Sequence, residues 1–160
     1  MKLTMSGRES PSNKLNAVAT VAFDVFDVGP FQNNRNDISA LNDLGEFAGV
    51  CLNETSGRIE AFRQKDGQRI MLGTLGGSFS IARGINDRGE VVGGSLTEGD
   101  ENFHAFVCRG DKLYDLNRFL DESAGWEIIQ AVAINERGEI LGIGSHEGED
   151  RIVILRPRAR

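Results

Sequence analysis

Cysteine and long hydrophobic runs are scarce in this chain of 160 residues. Cys51 and Cys108 are too few for a disulfide framework, and we expect both to be buried or half-buried thiols. No stretch reaches the roughly 18 apolar residues of a membrane span. The apolar run at residues 17–23 follows a polar leader without the basic start of a secretory signal. We therefore expect no membrane segment, and a protein that is either cytoplasmic or extracellular with its signal removed.

Positive charge is also in short supply. The chain has 18 Lys and Arg residues against 24 Asp and Glu residues, which gives a formal net charge of −6. Binding to nucleic acid relies on a basic surface that releases counterions. We therefore expect no nucleic-acid partner, and we interpret the basic end at residues 156–160 as a solvated tail.

Motifs of nucleophilic catalysis and phosphate binding are missing from the sequence. There is no Gly-x-Ser-x-Gly elbow, and the adjacent pair Ser145 and His146 is not a triad. The glycine-rich run at residues 73–78 lacks the lysine of a phosphate loop. The chain is therefore expected to be non-enzymatic and to carry no cofactor.

Glycine, in contrast, is abundant, with 20 residues, and it recurs in a motif that occurs three times. Each copy has an asparagine, an acidic residue, a variable residue, a glycine and a glutamate, at residues 42–46, 86–90 and 135–139. The asparagines are 44 and 49 residues apart. A recurrence of this length indicates a modular fold, because one unit cannot bury its own apolar face.

Short apolar segments bounded by turn residues predict four antiparallel strands per repeat. The asparagine motif closes a hairpin between the first two strands. A glycine recurs in each second strand, where it predicts a bulge or a close backbone approach; these glycines are Gly49, Gly93 and Gly142. The predicted organisation is a flexible leader at residues 1–18 and one β domain at 19–156, with repeats at about 38–80, 81–127 and 128–156.

The third repeat has no fourth strand of its own, whereas the N-terminal part of the chain supplies an extra one at residues 23–28. The 15 residues from Asp27 to Asn42 match the spacing between the fourth strand of the first repeat and the next asparagine motif. An unpaired edge strand is a liability that folds remove by closure. We therefore predict that residues 19–28 complete the last repeat, in the same chain or in a second copy.

Three strings in the middle of the chain resemble the HAF repeat family, a group of bacterial repeats expected to be extracellular. They are Gly84-Ile-Asn-Asp-Arg-Gly-Glu-Val-Val-Gly93, His104-Ala-Phe106 and Leu72-Gly-Thr-Leu-Gly-Gly77. The resemblance covers about residues 23–155 and is weakest in the third repeat, where residues 151–154 replace the His-Ala-Phe block. It implies β-propeller-like blades and brings no established catalytic or binding residues.

Three blades are too few for a propeller, which typically has four to eight. Two chains related by a two-fold axis would supply six, and this is the commonest symmetry of oligomers. We therefore predict an all-β, propeller-like homodimer. A pseudo-threefold monomer, such as a β-trefoil or a β-prism, is the alternative.

Carboxylates beside each turn could provide oxygen ligands for calcium, but the turn motif needs no ligand to explain it. They are Asp43, Glu46, Asp87, Glu90, Glu136 and Glu139. His104 and Cys108 lie on the same face of a strand, and two ligands do not make a zinc site. We therefore expect no metal.

The insertion at residues 117–125 is the best candidate for recognition, because loops on a rigid scaffold often carry function. An aromatic ring with carboxylates and an arginine can hold a sugar or a peptide. We predict a protein or glycan ligand, with a lectin-like protein as one alternative and a glycan hydrolase or lyase using Glu90, Glu139 and Asp115 as another. In the competing interpretation, Trp126 and Phe119 pack between blades. The candidate binding residues are Trp126, Tyr114, Arg118 and Glu122.

Overall fold

The computed structural model describes residues 22–28 and 37–158, and it is an all-β structure with three short 3₁₀ turns. No helix in this part of the chain is long and apolar enough to cross a membrane. The predicted leader at residues 1–18 lies outside the described residues. The strands are β1 Asp37–Leu41, β2 Phe47–Asn53, β3 Arg58–Lys65, β4 Gln68–Gly73, β5 Gly76–Ile85, β6 Val91–Thr97, β7 Phe103–Arg109, β8 Lys112–Asp115, β9 Trp126–Ile134, β10 Ile140–His146 and β11 Glu149–Leu155.

The strands form three antiparallel units in chain order: a first unit of β1–β4, a second of β5–β8 and a third of β9–β11. One parallel pair, Ile59 with Phe79, joins β3 to β5, so the first eight strands make a single sheet. The third unit is a separate three-stranded sheet. The predicted all-β class is confirmed, and β5 and β9 begin at Gly76 and Trp126, ahead of the repeat boundaries expected at residues 81 and 128.

The asparagine of each motif holds its own turn. In the second unit, Asn86 Oδ1 accepts hydrogen bonds from the backbone amides of Arg88 and Glu90. Its Nδ2 donates to the Glu90 carboxylate at 2.6 Å. Gly89 has a φ of +71°, which side chains other than glycine rarely adopt. The same bonds occur around the other two asparagines, so the predicted hairpin turns are confirmed.

The recurring glycine of each second strand is required by a close backbone approach, as predicted. The pairing register of β5 with β6 shifts between Ala82 and Gly84. A Cβ atom on Gly93 would overlap the backbone oxygen of Ile81 at this bulge. The other two glycines have the same kind of neighbour: Gly49 faces the backbone oxygen of Asp37, and Gly142 faces that of Gln130.

Neighbouring units bury their apolar faces in two cores. The first core lies between the first and second units, and the second core between the second and third. The first and third units share no core in the described part of the chain, so the alternative of a β-trefoil or β-prism monomer does not describe it. The buried residues are Ala48, Ala61, Leu72, Ala82, Ile85, Val91, Phe106 and Cys108 in the first core, and Val92, Ala105, Val107, Leu116, Ile128, Ala131 and Ile140 in the second.

A row of hydrogen bonds, here called the turn ladder, connects the asparagine motifs of successive units. Asn42 Nδ2 donates to the backbone oxygen of Asn86 at 3.0 Å, and Asn86 Nδ2 donates to that of Asn135 at 3.1 Å. The donor always lies in one unit and the acceptor in the next, so the units stack with one polarity. A second hydrogen bond joins each pair of successive motifs. The backbone amide of Asp43 donates to Asp87 Oδ1 at 2.8 Å, and the backbone amide of Asp87 donates to Glu136 Oε1 at 2.7 Å.

Completion of the last repeat within the same chain is not seen in the described residues. Residues 22–28 form no strand, and β11 pairs with β10 alone among the described strands. Gln64 Nε2 lies 3.4 Å from the backbone oxygen of Val28, which places the end of this segment beside the first unit. Residues 19–21 of the predicted strand lie outside the described residues, and completion by a second copy stays a prediction.

Candidate functional site

The insertion between the second and third units folds as two capped 3₁₀ turns, Leu116–Phe119 and Glu122–Ala124. The side chain of Asp115 accepts from the amide of Asn117, and the side chain of Asp121 accepts from that of Ser123. The Asn117 side chain accepts from the Ile128 amide at 2.7 Å and donates to its carbonyl at 3.0 Å. The insertion is thereby fixed to the first strand of the third unit.

Leucines, rather than aromatic residues, fill the space between the units at the insertion. Leu116 is buried, and Leu120 packs against the second core. Phe119 is 65% exposed, so the interpretation that it packs between blades is wrong. Trp126 is 37% exposed and stacks on His146, with the ring centroids 4.6 Å apart.

A pocket of about 490 Å³ opens between the insertion and β11. Its walls are largely apolar, and two of its residues, Ile154 and Leu155, belong to β11 itself. Three arginines line it as well. The remaining apolar wall includes Val107, Leu116, Phe119, Leu120, Trp126 and Ile140, and the arginines are Arg109, Arg156 and Arg158.

Of the four predicted binding residues, only Trp126 lines this pocket. The Tyr114 ring is half-buried and lies 6.2 Å from the Phe119 ring, while Arg118 and Glu122 are exposed outside the pocket. Sequence reasoning missed the β11 and arginine residues of the pocket. The β11 residues, Arg156 and Arg158 come from a different repeat than the insertion, whereas Arg109 ends β7 of the same repeat. No local motif marks any of them.

Two arginines of the pocket are held by carboxylates of the turn motifs. Arg109 Nε donates to Glu90 Oε1 at 2.7 Å, and Arg156 Nε donates to Glu139 Oε1 at 3.1 Å. These contacts orient the guanidinium groups beside an apolar cavity. Asp121 also lines the pocket. The bonds to Glu90 and Glu139 use only the Nε of Arg109 and Arg156. Their other guanidinium donors can still bind an acidic group of a ligand that covers the apolar wall.

Glu90 and Glu139 are suited to this structural role and not to proton donation. Burial raises the pKa of Glu90, but hydrogen bonds from Arg88 and Asn86 and the charge of Arg109 outweigh burial, so the pKa lies below its ordinary value. Hydrogen bonds from the motif's own arginine and asparagine also lower the pKa of Glu139. A general acid at neutral pH needs a raised pKa, and the pKa of both carboxylates is shifted in the opposite direction.

The lowered pKa of Glu90 predicts a specific loss of stability in acid. A carboxyl whose folded pKa is depressed stabilises the fold above its unfolded pKa of about 4.3, and this contribution is lost as the pH falls through the folded pKa. As the pH is lowered below about 4, we expect the urea concentration at the unfolding midpoint to decrease in the parent chain and to decrease less in Glu90→Gln. Urea titrations followed by the fluorescence of Trp126 measure this, with the exposed Glu54→Gln as the control. Parallel pH profiles for Glu90→Gln and the parent would contradict it.

His104 and Cys108 do not form a metal site. His104 Nδ1 lies 2.8 Å from Asp115 Oδ2, and its Nε2 lies 3.4 Å from Glu127 Oε1. Cys108 is buried, and burial raises its pKa to about 11, so it is a protonated thiol at neutral pH. Cys51 is buried too, as predicted. Within residues 22–28 and 37–158, no group of three His, Cys, Asp or Glu side chains could hold a metal ion.

These observations define an all-β repeat protein whose antiparallel units stack face to face. Among the described strands, the edge strand β11 lines a pocket and pairs with β10 alone. Comparisons with family models, with curated proteins and with solved structures find no match to this chain. The resemblance to the HAF repeat family therefore rests on the motif strings alone.

Proposed function

We propose that this chain is a non-enzymatic protein-binding module that takes up an extended polypeptide segment along the open edge of β11. The observation that supports this function is the coincidence of an edge strand and a pocket, since Ile154 and Leu155 belong to both. The architecture proposed with it is a β-propeller in which each unit is a blade. A homodimer then supplies six blades, within the usual range of four to eight.

The second unit indicates how a strand would fit on β11. There the fourth strand, β8, pairs with β7, and Leu113 of β8 lies opposite Cys108. Leu113 packs against the first core and so fills the outer part of the junction between two units. The pairing of β10 with β11 makes Leu155 the equivalent of Cys108. A side chain opposite Leu155 would therefore enter the pocket as Leu113 enters the other junction.

The chemistry of the pocket favours a particular kind of segment. Strand addition supplies main-chain hydrogen bonds, and alternate side chains supply specificity. Burying one large apolar side chain contributes about 1.5–3 kcal/mol. The arginines of the pocket favour an acidic neighbour for that side chain. The preferred segment is therefore an extended peptide in which apolar and acidic residues are close together.

A glycan ligand is the second candidate, and it is favoured by the half-exposed Trp126 stacked on His146, because sugars bind to aromatic faces. The sequence has a single tryptophan, so this platform cannot recur in all three units. A lectin-like protein with three equivalent sites is therefore the weaker proposal. A hydrolase or lyase is weaker still, since Glu90 and Glu139 have lowered pKa values.

A pocket-filling variant tests the proposed function. Ala124 is exposed and lines the pocket, so Ala124→Trp is expected to occupy it without disturbing the core. The parent chain for this test carries Leu41→Asp, which alters the outer face of the first unit and leaves β11 free of a second copy. Peptides of seven residues selected from a random phage library should bind it and lose affinity at least about tenfold when Ala124→Trp is added, as expected for about 1.4 kcal/mol of lost burial. Calorimetry measures the affinity, and Glu122→Trp, exposed outside the pocket, is the matched control.

Hydrogen exchange gives the second readout of this experiment. Bound peptides are expected to slow the exchange of backbone amides in β11, because a new strand would pair with that edge. Peptides that bind Ala124→Trp as tightly as the parent chain, or that protect no amide of β11, would overturn the proposal.

A further inference from the structure

We infer that the segment bound at β11 is residues 23–28 of a second copy of this chain, and that two copies join head to tail into a ring of six units. This inference rests on the proposed uptake of an extended strand at β11. Four independent features support it: the outer face of the third unit, the outer face of the first unit, the ends of the turn ladder and the sequence of the segment itself.

The outer face of the third unit is apolar, and no element of residues 22–28 or 37–158 covers it. On this face Leu141 pairs with Ile154, and Ile143 pairs with Ile152. All four side chains are exposed, and Ile152 reaches 84%. The residues equivalent to Ile152 in the first two units are Ala61 and Ala105. Both are 0% exposed because the next unit covers them. The third unit therefore has the surface of a unit that another unit covers.

The outer face of the first unit also exposes apolar side chains at positions that are buried in the second unit. Leu41 precedes its motif asparagine directly, as Ile85 does in the second unit. Ile85 is 7% exposed because it packs in the first core, whereas Leu41 is 71% exposed. Ile38 is also exposed, although the equivalent Ala82 is buried. Both outer faces thus carry apolar residues at positions that are buried in the two junctions within the chain.

The turn ladder gives the contact its polarity. At the third unit, the side-chain amide of Asn135 and the backbone amide of Glu136 correspond to the donors of the first two units. At the first unit, the backbone oxygen of Asn42 and the carboxylate of Asp43 correspond to the acceptors. Asn135 is exposed, whereas Asn42 and Asn86 are buried. Donors at one end match acceptors at the other, so only a head-to-tail contact continues the ladder.

A two-fold axis is compatible with this polarity. In a ring of two copies, the third unit of each copy meets the first unit of the other, and both contacts are equivalent. Three units per chain then give six blades, whereas three copies would give nine, outside the usual range. The occupant of the outer face is therefore a second copy, and the ring closes at two.

Residues 23–28 have the sequence of the missing strand. Their spacing to the first motif makes Phe26 the equivalent of Ile70 in the first unit. Ile70 pairs with Arg63 of β3. The third-unit residue equivalent to Arg63 is Ile154, because both occupy the same position opposite the second strand of their unit. Phe26 of the second copy is therefore expected to pair with Ile154. In this register Val25 lies opposite Leu155 and enters the pocket, as Leu113 does in the other junction.

The rest of the segment agrees with this register. Asp24 lies opposite Arg156, which supplies the acidic partner that the pocket arginines favour. Val28 takes the position of Leu72, which is buried in the first core. In the described chain Val25, Phe26 and Val28 are exposed. The second copy would thus bury its own exposed segment and complete a site that one copy leaves open.

The mass of the chain in solution and two charged variants test the head-to-tail contact. Light scattering is expected to give the mass of two chains of 17.5 kDa. The two variants Leu41→Asp and Ile152→Asp each alter one outer face. Because both copies carry the substitution, each variant buries one charge in each of the two equivalent contacts. Each is therefore expected to weaken dimerisation at least about a hundredfold. Leu52→Asp, on the face toward the second unit, is the control and should stay dimeric.

Mixing the two variants separates a head-to-tail contact from a symmetric one. Leu41→Asp has an intact third unit and Ile152→Asp an intact first unit, so a mixture should form a one-to-one complex through one intact contact. A contact between two third units would leave Leu41→Asp dimeric and would give no rescue on mixing. Either of those results, or a parent chain that is monomeric at 100 µM, would overturn the inference.

Disulfide trapping tests the strand itself. Phe26→Cys with Ile154→Cys is expected to give a disulfide-linked dimer on mild oxidation, because paired residues have suitable Cα separations. Val25→Cys with Ile154→Cys is the control and should not link, since adjacent strand residues point to opposite faces. A disulfide within one chain would overturn the inference. A monomer that still binds library peptides at β11 would overturn it too, while leaving the proposed function standing.

Discussion

Asn86→Ala is expected to lower the free energy of unfolding by at least about 4 kcal/mol, because each buried polar group left without a partner costs about 1–3 kcal/mol. Asn86 is 2% exposed, and its side chain makes four hydrogen bonds. It accepts from two amides of its own turn, and it donates to the Glu90 carboxylate and to the backbone oxygen of Asn135. Alanine would remove the closure of the turn and the link to the next unit together.

Urea titration followed by circular dichroism measures this effect, and Asn135→Ala is the matched control. Asn135 makes the same bonds within its turn, but it is exposed, and water can replace them. In the Leu41→Asp background, which keeps the chain monomeric on the proposed assembly, Asn135→Ala should cost about 1 kcal/mol, as for a lost cap. Equal losses at the two positions would show that the turn ladder contributes nothing.

The turns and strands could be predicted from the sequence because their causes are local. An asparagine two residues before an arginine and four before a glutamate can bond both amides without help from the rest of the fold. Glycine at the third position after it supplies the left-handed backbone that the turn needs. The same turn occurs in all three units for this reason.

The turn ladder could not be predicted in this way. Asn42 and Asn86 are 44 residues apart, and nothing near either residue shows that one donates to the backbone of the other. The acidic residue after each asparagine looked like a turn residue or a calcium ligand. The carboxylates of Asp87 and Glu136 instead accept from the preceding unit, which only the stacking of units reveals.

The candidate site differs from the prediction for a related reason. The sequence points to Tyr114, Arg118 and Glu122 because they are near Trp126 along the chain. The pocket is built where the insertion of one unit meets β11 of the next, and only Trp126 of the four lines it. Proximity along the chain is a poor guide to a site between units.

The number of covered faces is also invisible in the sequence, because all three units carry apolar residues on both faces. In the second unit the adjacent residues Val91 and Val92 are both at 0% exposure, since each faces a different neighbour. In the third unit Ile140 is buried and Leu141 is exposed. In the described part of the chain the third unit has one neighbour, and the exposed apolar side chains on its other face are what argue for a second copy.

Gly93→Ala is expected to destabilise the chain by about 3–5 kcal/mol, the upper range for a substitution that overpacks a core. The added Cβ would overlap the backbone oxygen of Ile81. That oxygen belongs to β5, whose Ala82 and Ile85 pack in the first core and whose Gly84 lies against Ala133 of the third unit. Only a movement of the backbone at the bulge could relieve the contact. Urea titration of the monomeric Leu41→Asp background measures the loss without a contribution from assembly.

Gly110→Ala is the matched control for Gly93→Ala. Gly110 lies in the turn between β7 and β8, and a Cβ there would meet no atom within 4 Å. Its φ of +57° should cost about 1–2 kcal/mol for a residue other than glycine. Gly142→Ala should fall between the two, because its Cβ would also approach a backbone oxygen but at the edge unit. A Gly93→Ala variant no less stable than Gly110→Ala would mean that the bulge yields freely, and the recurring glycine would then need another explanation.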